Sequence, residues 1–457
     1  MHAGGVCQSC PSAVLRLVAS PSDVTPNGQI VTTAVRIGTH RSRDTGYTVP
    51  AFVNISGRIR ATVFALALCT RLLFFAAHGP IFSADSDDYL ILGRNLAADH
   101  MLSEHLPERS VRRGPLYPVI LALVRNSPAV AVIVQCILDS VTALMVFELA
   151  SAVSPVAFAI LVSALYAFYP LAVEYSSRIL TEIVFVFLVT LALLLVSKSK
   201  FSASGAVLAL ACLGRPFGVI FLIPWCIVLW FSGKPNRVRS LSLLVTCFVL
   251  FLTPWLMRTW SVAHRFVFVQ VGSAQMLYVP TLVNEDQADQ AIWAKLYASD
   301  PLLHQFFVAE TAQEMAADER PITRQAIANI QANPAAFLKS RIHAVPHLFL
   351  SSFDSATGLN APFSTAIHRQ EWLTVFAKVL ILAVFGIVPL CAAILGGVRT
   401  PFATSVWLTT AVVQLPMYIE PRFWLPAFPA VLVSAAAGMA LINEFLCSKS
   451  RYPVTQA

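Results

Sequence analysis

Long apolar runs alternate with short polar breaks along most of the chain. The runs fall near 59–80, 129–150, 156–173, 180–197, 203–214, 216–231, 240–258, 374–396, 402–418 and 424–446. A run of roughly eighteen or more apolar residues is long enough to cross a bilayer core. The pattern therefore predicts an all-α polytopic membrane protein with about ten transmembrane helices. A transmembrane barrel would instead alternate apolar and polar residues over strands of about ten. The runs flanking Arg215-Pro216 read either as two passes or as one kinked pass over 203–231. Counting two passes, with the N-terminus inside, puts Lys198, Lys200, Lys234, Arg237, Arg239, Arg399, Lys449 and Arg451 on the cytoplasmic side. That is the bias that sets topology in helical membrane proteins. The first external loop runs against it, with four arginines among its acids.

Two polar stretches are too long for simple connections. The first, 82–114, concentrates Asp85, Asp87, Asp88, Asp99, Glu104 and Glu108 ahead of Arg109, Arg112 and Arg113. The second, 259–373, has helix-compatible stretches at 285–299, 303–318, 321–331 and 334–351, the last interrupted by Pro346. The expected organisation follows. A disordered cytoplasmic tail covers 1–57, and a transmembrane module carrying loop 82–114 covers 58–258. An external helical subdomain covers 259–373, C-terminal transmembrane helices 374–447 and a second cytoplasmic tail 448–457. The same topology puts loop 82–114, the turns at 171–181, 214–216 and 420–422, and the 259–373 segment on one external face. No internal repeat is visible, so the inverted-repeat signature of many transporters is missing.

Composition agrees with the pattern. Of 457 residues, 57% are hydrophobic and 12% charged, where soluble domains carry about 25% charge. The net charge of +8 lies largely in topology-setting loops and does not point to nucleic acid. Six cysteines lie in or beside apolar runs and read as small core residues. Cys7 and Cys10 form one C-x-x-C without the second pair that a zinc site needs. Residues 1–57 lack the apolar core and cleavage site of a signal peptide. Asn54-Ile55-Ser56 is a glycosylation sequon on the wrong side of the membrane.

The candidate chemistry sits on the external face. Asp85, Asp88 and Tyr89 fall at i, i+3 and i+4, on one face of a helix starting there. Two readings of Asp85 stay open. It is either the N-cap of that helix, with Asp88 as its acidic N3 residue, or a carboxylate aimed into a cavity. Arg112-Arg113-Gly114-Pro115-Leu116-Tyr117-Pro118 holds two arginines at the membrane boundary between fixed prolines. They suit either a phosphate or headgroup anchoring. Glu174, Arg178 and Glu182 are spaced by four, as in an ion-pair ladder. Glu182 lies just inside an apolar run and needs a partner or a polar cavity. Arg215, Arg258 and Arg422 each end a helix beside a proline or tryptophan, which reads as a rim around an anion. His343 and His347 are spaced for a metal, but Pro346 between them disturbs the helix and no H-E-x-x-H pattern is present. The chain has no P-loop, Rossmann glycine pattern or G-x-S-x-G.

In order, these features resemble the GT-C glycosyltransferases of the dolichyl-phosphate-mannose protein mannosyltransferase and aminoarabinose transferase type, in their bacterial family 39 form. The family's D-S/E-x-x-Y-x-x-L-A-R-N-L is similar to Asp85 through Leu96, with Gly93 in the place of Ala. Its R-P-P-x-Y-P is similar to Arg113 through Pro118, with Gly114 in the place of Pro. Its S-x-x-L-x-S/T-E, R-P, P-W-x-x-R and R-Y/F-x-x-P are similar to Ser177–Glu182, Arg215-Pro216, Pro254–Arg258 and Arg422–Pro426. The likeness runs from about 59 to 446.

The resemblance implies an inverting transferase in the plasma (inner) membrane. It would move a hexose or pentose from a polyprenyl-phosphate donor to an acceptor hydroxyl on a protein, lipid or glycan, on the external side. Asp85 would be the general base. Arg258 and Arg422, then Arg112, Arg113 and Arg215, would stabilise the leaving phosphate, and Glu182 would orient donor or acceptor. Asp88, Tyr89 and Tyr117 would line the substrate site. No cofactor and no obligatory metal are expected, and the 259–373 segment would bind the acceptor. The competing expectation is a transporter or flippase of a lipid-linked anion. It would need charges along a path, and Arg71, Asp139, Glu148 and Lys378 are not aligned for one.

Overall fold

A computed structural model describes residues 56–233, 236–283, 290–345, 348 and 363–450. The expectations for the tail up to residue 55, Cys7, Cys10, Asn54, Lys234, Pro346, His347 and the tail from 451 lie outside the described residues. Those described are helical, with one isolated β-bridge between Ile81 and Arg178. Helices stand at all ten apolar stretches. Five are long and apolar enough to cross a membrane: Gly57–His78, Pro128–Ser151, Arg237–Ala263, Trp372–Arg399 and Pro421–Ser448. A sixth span results if Val156–Ala167 and Pro170–Ser176, bent by 51° at their junction, count as one. Glu182–Ser197, Phe201–Gly214 and Pro216–Phe231 are apolar but shorter. Sixteen helical residues rise about 24 Å, short of a hydrocarbon core of about 30 Å. The chain is a multi-pass membrane protein.

The last long helix is the packing centre, because it is apolar all round. Phe428, Leu432 and Ala436 enter one buried cluster with Tyr117, Cys136, Tyr166 and Ile183. Ala427, Ala430 and Val431 enter another with Trp225, Leu244 and Trp407. Lipid supplies little hydrophobic drive between helices, so close backbone approach matters more. A Cβ added at Gly396 would strike the Ser434 carbonyl, and one at Gly438 the Ala392 carbonyl. These two glycines let the helices meet backbone to backbone.

Charges inside the spans pair off rather than line a path. Arg71 and Asp139 are fully buried and 2.7 Å apart. Tyr166 donates to the second Asp139 oxygen at 2.5 Å, and Arg71 donates to the Ala167 carbonyl at 2.7 Å. That last bond falls where the bent pair breaks, so the guanidinium serves a carbonyl freed by the bend. Glu148 pairs with Arg60, and Lys378 is buried.

The segment after Ala263 forms short helices with their own apolar cluster: Val267, Val271, Tyr278, Leu303, Phe306, Met315 and Ile322, joined by Val111 and Tyr418. The expected 303–318 helix is divided, as Pro301–Val308 and Ala312–Ala332. Thr311 and Glu314 form a capping box that starts the second. That helix then runs through Pro321, which costs it one backbone hydrogen bond without ending it.

Candidate active site

The polar chain between the first two helices is anchored before it reaches Asp85. Ile81 pairs with the 177–179 turn, donating to Ser177 at 2.8 Å and accepting from Ile179 at 3.0 Å. Gln135 holds that turn from below through the Ser176 and Arg178 carbonyls. The helix Ala84–Asp99 then starts, and its N-cap is Ser83, whose N–H donates to Ser86 Oγ at 2.9 Å. The cap readings of Asp85 and Asp88 are thereby corrected. Asp85 is the second helical residue and Asp88 lies a turn further on, so both carboxylates are free to face sideways.

They face Arg113. Its Nη2 donates to Asp85 Oδ1 at 2.6 Å and to Asp88 Oδ2 at 2.7 Å, and its Nε donates to Asp88 at 3.1 Å. The other Asp85 oxygen, Oδ2, accepts from Arg422 Nη1 at 3.1 Å. The same Nη1 lies 3.7 Å from Glu182 Oε1, which Arg215 approaches to 2.7 Å. Arg422 Nε forms an ion pair with Glu420. One connected group therefore joins residues from five separate stretches of chain. It brings loop 82–114 and the turns at 214–216 and 420–422 to one place.

Aromatic rings hold the guanidiniums in plane. Arg113 lies over Tyr89 at 5.4 Å, and Tyr89 meets Tyr117 edge-on at 5.2 Å. Tyr117 is buried and donates to Gln135 at 2.6 Å, so it supports the site from behind. Phe423 lies under both Arg215 and Arg422, at 5.5 and 5.2 Å. Its ring, with no hydroxyl, is what these two arginines use.

Gly114 sets the position of Arg113. A Cβ there would strike the Leu213 carbonyl oxygen, and the Gly114 N–H donates to Gln270 Oε1 at 2.8 Å. The departure from the family's proline thus has a local cause, since proline would supply a side chain and remove the donor.

Burial pushes the Asp85 carboxyl up, but Arg113 and then Arg422 outweigh it and hold it well below the usual carboxylate range. Burial works against the charge on Arg113, and Asp85, Tyr89 and Asp88 more than restore it. The Glu420 carboxyl is pushed up, first by burial and then by Asp85 and Glu182, against the pull of Arg422 and Arg215. The second Glu182 oxygen, Oε2, is buried without a hydrogen-bond partner, and the side chain is 2% exposed. Such an acceptor is costly unless a donor arrives.

Other sequence candidates stand elsewhere. Arg258 donates to the Ser110 carbonyl at 2.6 Å and to Leu102 at 3.5 Å, with its guanidinium over Trp255. Arg112 pairs with Glu104 at 3.3 Å and reaches the Ala309 carbonyl. Both brace the 102–112 loop. The expected Glu174–Arg178–Glu182 ladder is half present. Glu174 and Arg178 pair at 2.7 Å, but the helix ends before 182 and Glu182 heads a new one. Among the described residues, no group of three or more His, Cys, Asp or Glu is placed to hold a metal ion. Sequence reasoning did not select Glu420 or Gln270. For Glu420 the signal was present, an acid two residues before an arginine in a turn already assigned to the external face.

No family model and no curated protein matches the chain. Among solved structures it is similar to the apo crystal structure of the oligosaccharyltransferase from Archaeoglobus fulgidus. The TM-score is 0.49 and the identity 12%, over 86% of this chain and 51% of that one. It is also similar to the oligosaccharyltransferase AglB of that organism in complex with an inhibitory peptide and a dolichol-phosphate (TM-score 0.46, 11% identity, 88% and 53% covered). A third likeness is to ArnT from Cupriavidus metallidurans bound to undecaprenyl phosphate (0.38, 12%, 86% and 80%). The chain spans about half the length of the oligosaccharyltransferase structures. ArnT and the oligosaccharyltransferase are GT-C glycosyltransferases, the class that the sequence motifs resemble. At these identities and TM-scores the likenesses carry no weight for the chemistry, which rests on the side chains described above.

Proposed function

We propose that the protein transfers a sugar from a polyprenyl-phosphate donor to an acceptor hydroxyl on the external face of the plasma membrane, with inversion at the anomeric carbon. The observation that carries this reading is the Asp85 carboxylate held between Arg113 and Arg422. It puts an acid and two phosphate-binding groups within one bond of each other at the end of membrane helices. A lipid-bound phosphate presents its charge at that depth.

The acceptor oxygen attacks the anomeric carbon and the bond from that carbon to the phosphate oxygen breaks. Arg113, Arg215 and Arg422 stabilise the charge growing on the phosphate. Asp85 orients the acceptor hydroxyl and takes its proton. With both arginines on it, Asp85 is a weak base. As Arg422 turns to the phosphate the Asp85 basicity rises, so the base becomes competent only in the loaded site. Glu182 Oε2 accepts a hydroxyl of the sugar. The short helices between 273 and 344 lie beside loop 82–114 through Val111 and bind the acceptor.

The test is transfer of labelled sugar from a membrane-extracted pool of polyprenyl-phosphate donors, with wild type and Asp85→Asn as folded preparations. Loss of about 10²–10⁴-fold in Asp85→Asn, with donor binding retained, is expected for a general base. Equal transfer by both moves the base to Asp88 or Glu182. Absence of transfer from any lipid-linked donor sinks the reading and favours movement of a lipid-linked anion, measured next by a flipping assay.

A further inference from the structure

We propose that Glu420 is a positioning residue that releases Arg422 to the lipid phosphate by taking up a proton when the phosphate binds. This rests on the reading of the site as a phosphate site.

The argument is one of partners. Within the group three guanidiniums, of Arg113, Arg215 and Arg422, face four carboxylates, of Asp85, Asp88, Glu182 and Glu420. One negative charge is therefore in excess before any substrate arrives. A sugar phosphodiester brings another, and transfer leaves a phosphomonoester with more charge still. Something in the group must be neutralised as the phosphate enters.

The carboxylates differ in what they keep when Arg422 turns away. Asp85 keeps Arg113 on its other oxygen. Asp88 keeps Arg113 too, and Glu182 keeps Arg215 at 2.7 Å. Glu420 has an ion pair with Arg422 alone among the described residues. Losing it leaves Glu420 facing Asp85 on the Ala84–Asp99 helix and Glu182 at the head of the Glu182–Ser197 helix. Arg215, beyond Glu182, is then the positive group that still acts on it, and Tyr175 approaches it from the Pro170–Ser176 helix. Protonation is the cheapest answer for such a group. The Glu420 side chain keeps 29% exposure, so a proton can reach it from solvent. Its carboxyl is already pushed above the ordinary range with Arg422 beside it, and removing Arg422 pushes it the same way.

The sign follows. Below the ligand-free value of the carboxyl, Glu420 is protonated with or without ligand and affinity is flat. Between the ligand-free and the loaded values each binding event takes up a proton and the Kd weakens by up to about tenfold per pH unit, and above the loaded value affinity is flat again. The probe is the methyl diester of a polyprenyl phosphate, which holds one charge across the range. Calorimetric titrations in two buffers of different ionisation enthalpy count the protons, from pH 5 to 8, on the full chain in detergent. Wild type is expected to show a maximum of uptake, at most about one proton, between the ligand-free and the loaded values, Glu420→Gln none, and Glu420→Asp to keep the uptake. Glu420→Gln should bind with no pH slope. Undiminished uptake in Glu420→Gln, or no uptake in wild type, overturns the proposal while the phosphate site stands. No binding of the diester by wild type at any pH removes the phosphate site and the proposal with it.

Discussion

Replacing Gly114 with proline restores the residue usual in the resembling family, and in this protein it should do harm. Two separate losses add. The proline ring places carbon where the Leu213 carbonyl oxygen stands. Backbone cannot rotate away as a side-chain tip can, and overpacking of this kind costs about 1–3 kcal/mol. Proline also deletes the N–H that donates to Gln270 at 2.8 Å, worth about 1 kcal/mol in a half-buried setting. The sum is about 2–4 kcal/mol, a fall in midpoint on the order of 5 °C. Arg113 is the preceding residue, so relief of the clash moves its guanidinium off Asp85 and Asp88. A displacement of about 1 Å costs on the order of 10²-fold in rate. Thermal unfolding in detergent and sugar transfer are the two assays. Gly114→Ala keeps the donor and isolates the steric part, and Gln270→Ala isolates the hydrogen bond. A Gly114→Pro protein that melts within 1 °C of wild type and transfers at its rate would refute the reasoning.

Two more outcomes follow from other contacts. Arg71→Met leaves the buried Asp139 carboxyl without its ion-pair partner, so stability should fall by about 3–5 kcal/mol. Arg71→Met with Asp139→Leu should recover most of that, and no recovery in a detergent-resistance assay would show that the pair does not act as a unit. Arg258→Ala frees the Ser110 and Leu102 carbonyls, so trypsin should cut at Arg109 several-fold faster while donor affinity holds. Unchanged cleavage with lost donor affinity would return Arg258 to the phosphate.

The positions of the apolar helices were readable because a bilayer demands long apolar runs, and each run became a helix. Their continuity was less so. The run read over 156–173 holds two helices, Val156–Ala167 and Pro170–Ser176, bent by 51° at their junction, a break that hydropathy does not register. Asp85, Arg113 and Arg422 were visible as charges near one surface. Which arginine meets which acid was not, because a side of the membrane says nothing about where a long side chain turns. Arg112 and Arg113 are neighbours on one loop, yet one braces it and the other joins the acids. Arg258 shared its signature with Arg422, a helix end beside an aromatic residue, and differs only in what packs opposite. Glu174 through Glu182 keep helical spacing across a break at the turn that Ile81 pairs with, so the ladder joins Glu174 and Arg178 only, while Glu182 meets Arg215.

The buried pair in the spans bears on how the chain is made. Arg71 lies in the first apolar helix and its partner, Asp139, comes 68 residues later. When the first helix leaves the ribosome, its counter-charge has not been synthesised. An arginine at the centre of a bilayer helix costs about 2.5–3.5 kcal/mol on insertion scales. Arg71 is seven residues from the end of its helix, about 10 Å, so its cost is smaller but not zero. The first helix is therefore expected to stay at the insertion machinery until the second long apolar stretch, Pro128–Ser151, arrives beside it. Crosslinking of stalled chains of increasing length would reveal release at that point, and release of a chain ending before Asp139 would contradict it. Assembly order would then be written into the buried pairs of the membrane helices, with the acid–arginine group closing only after its foundation is neutral.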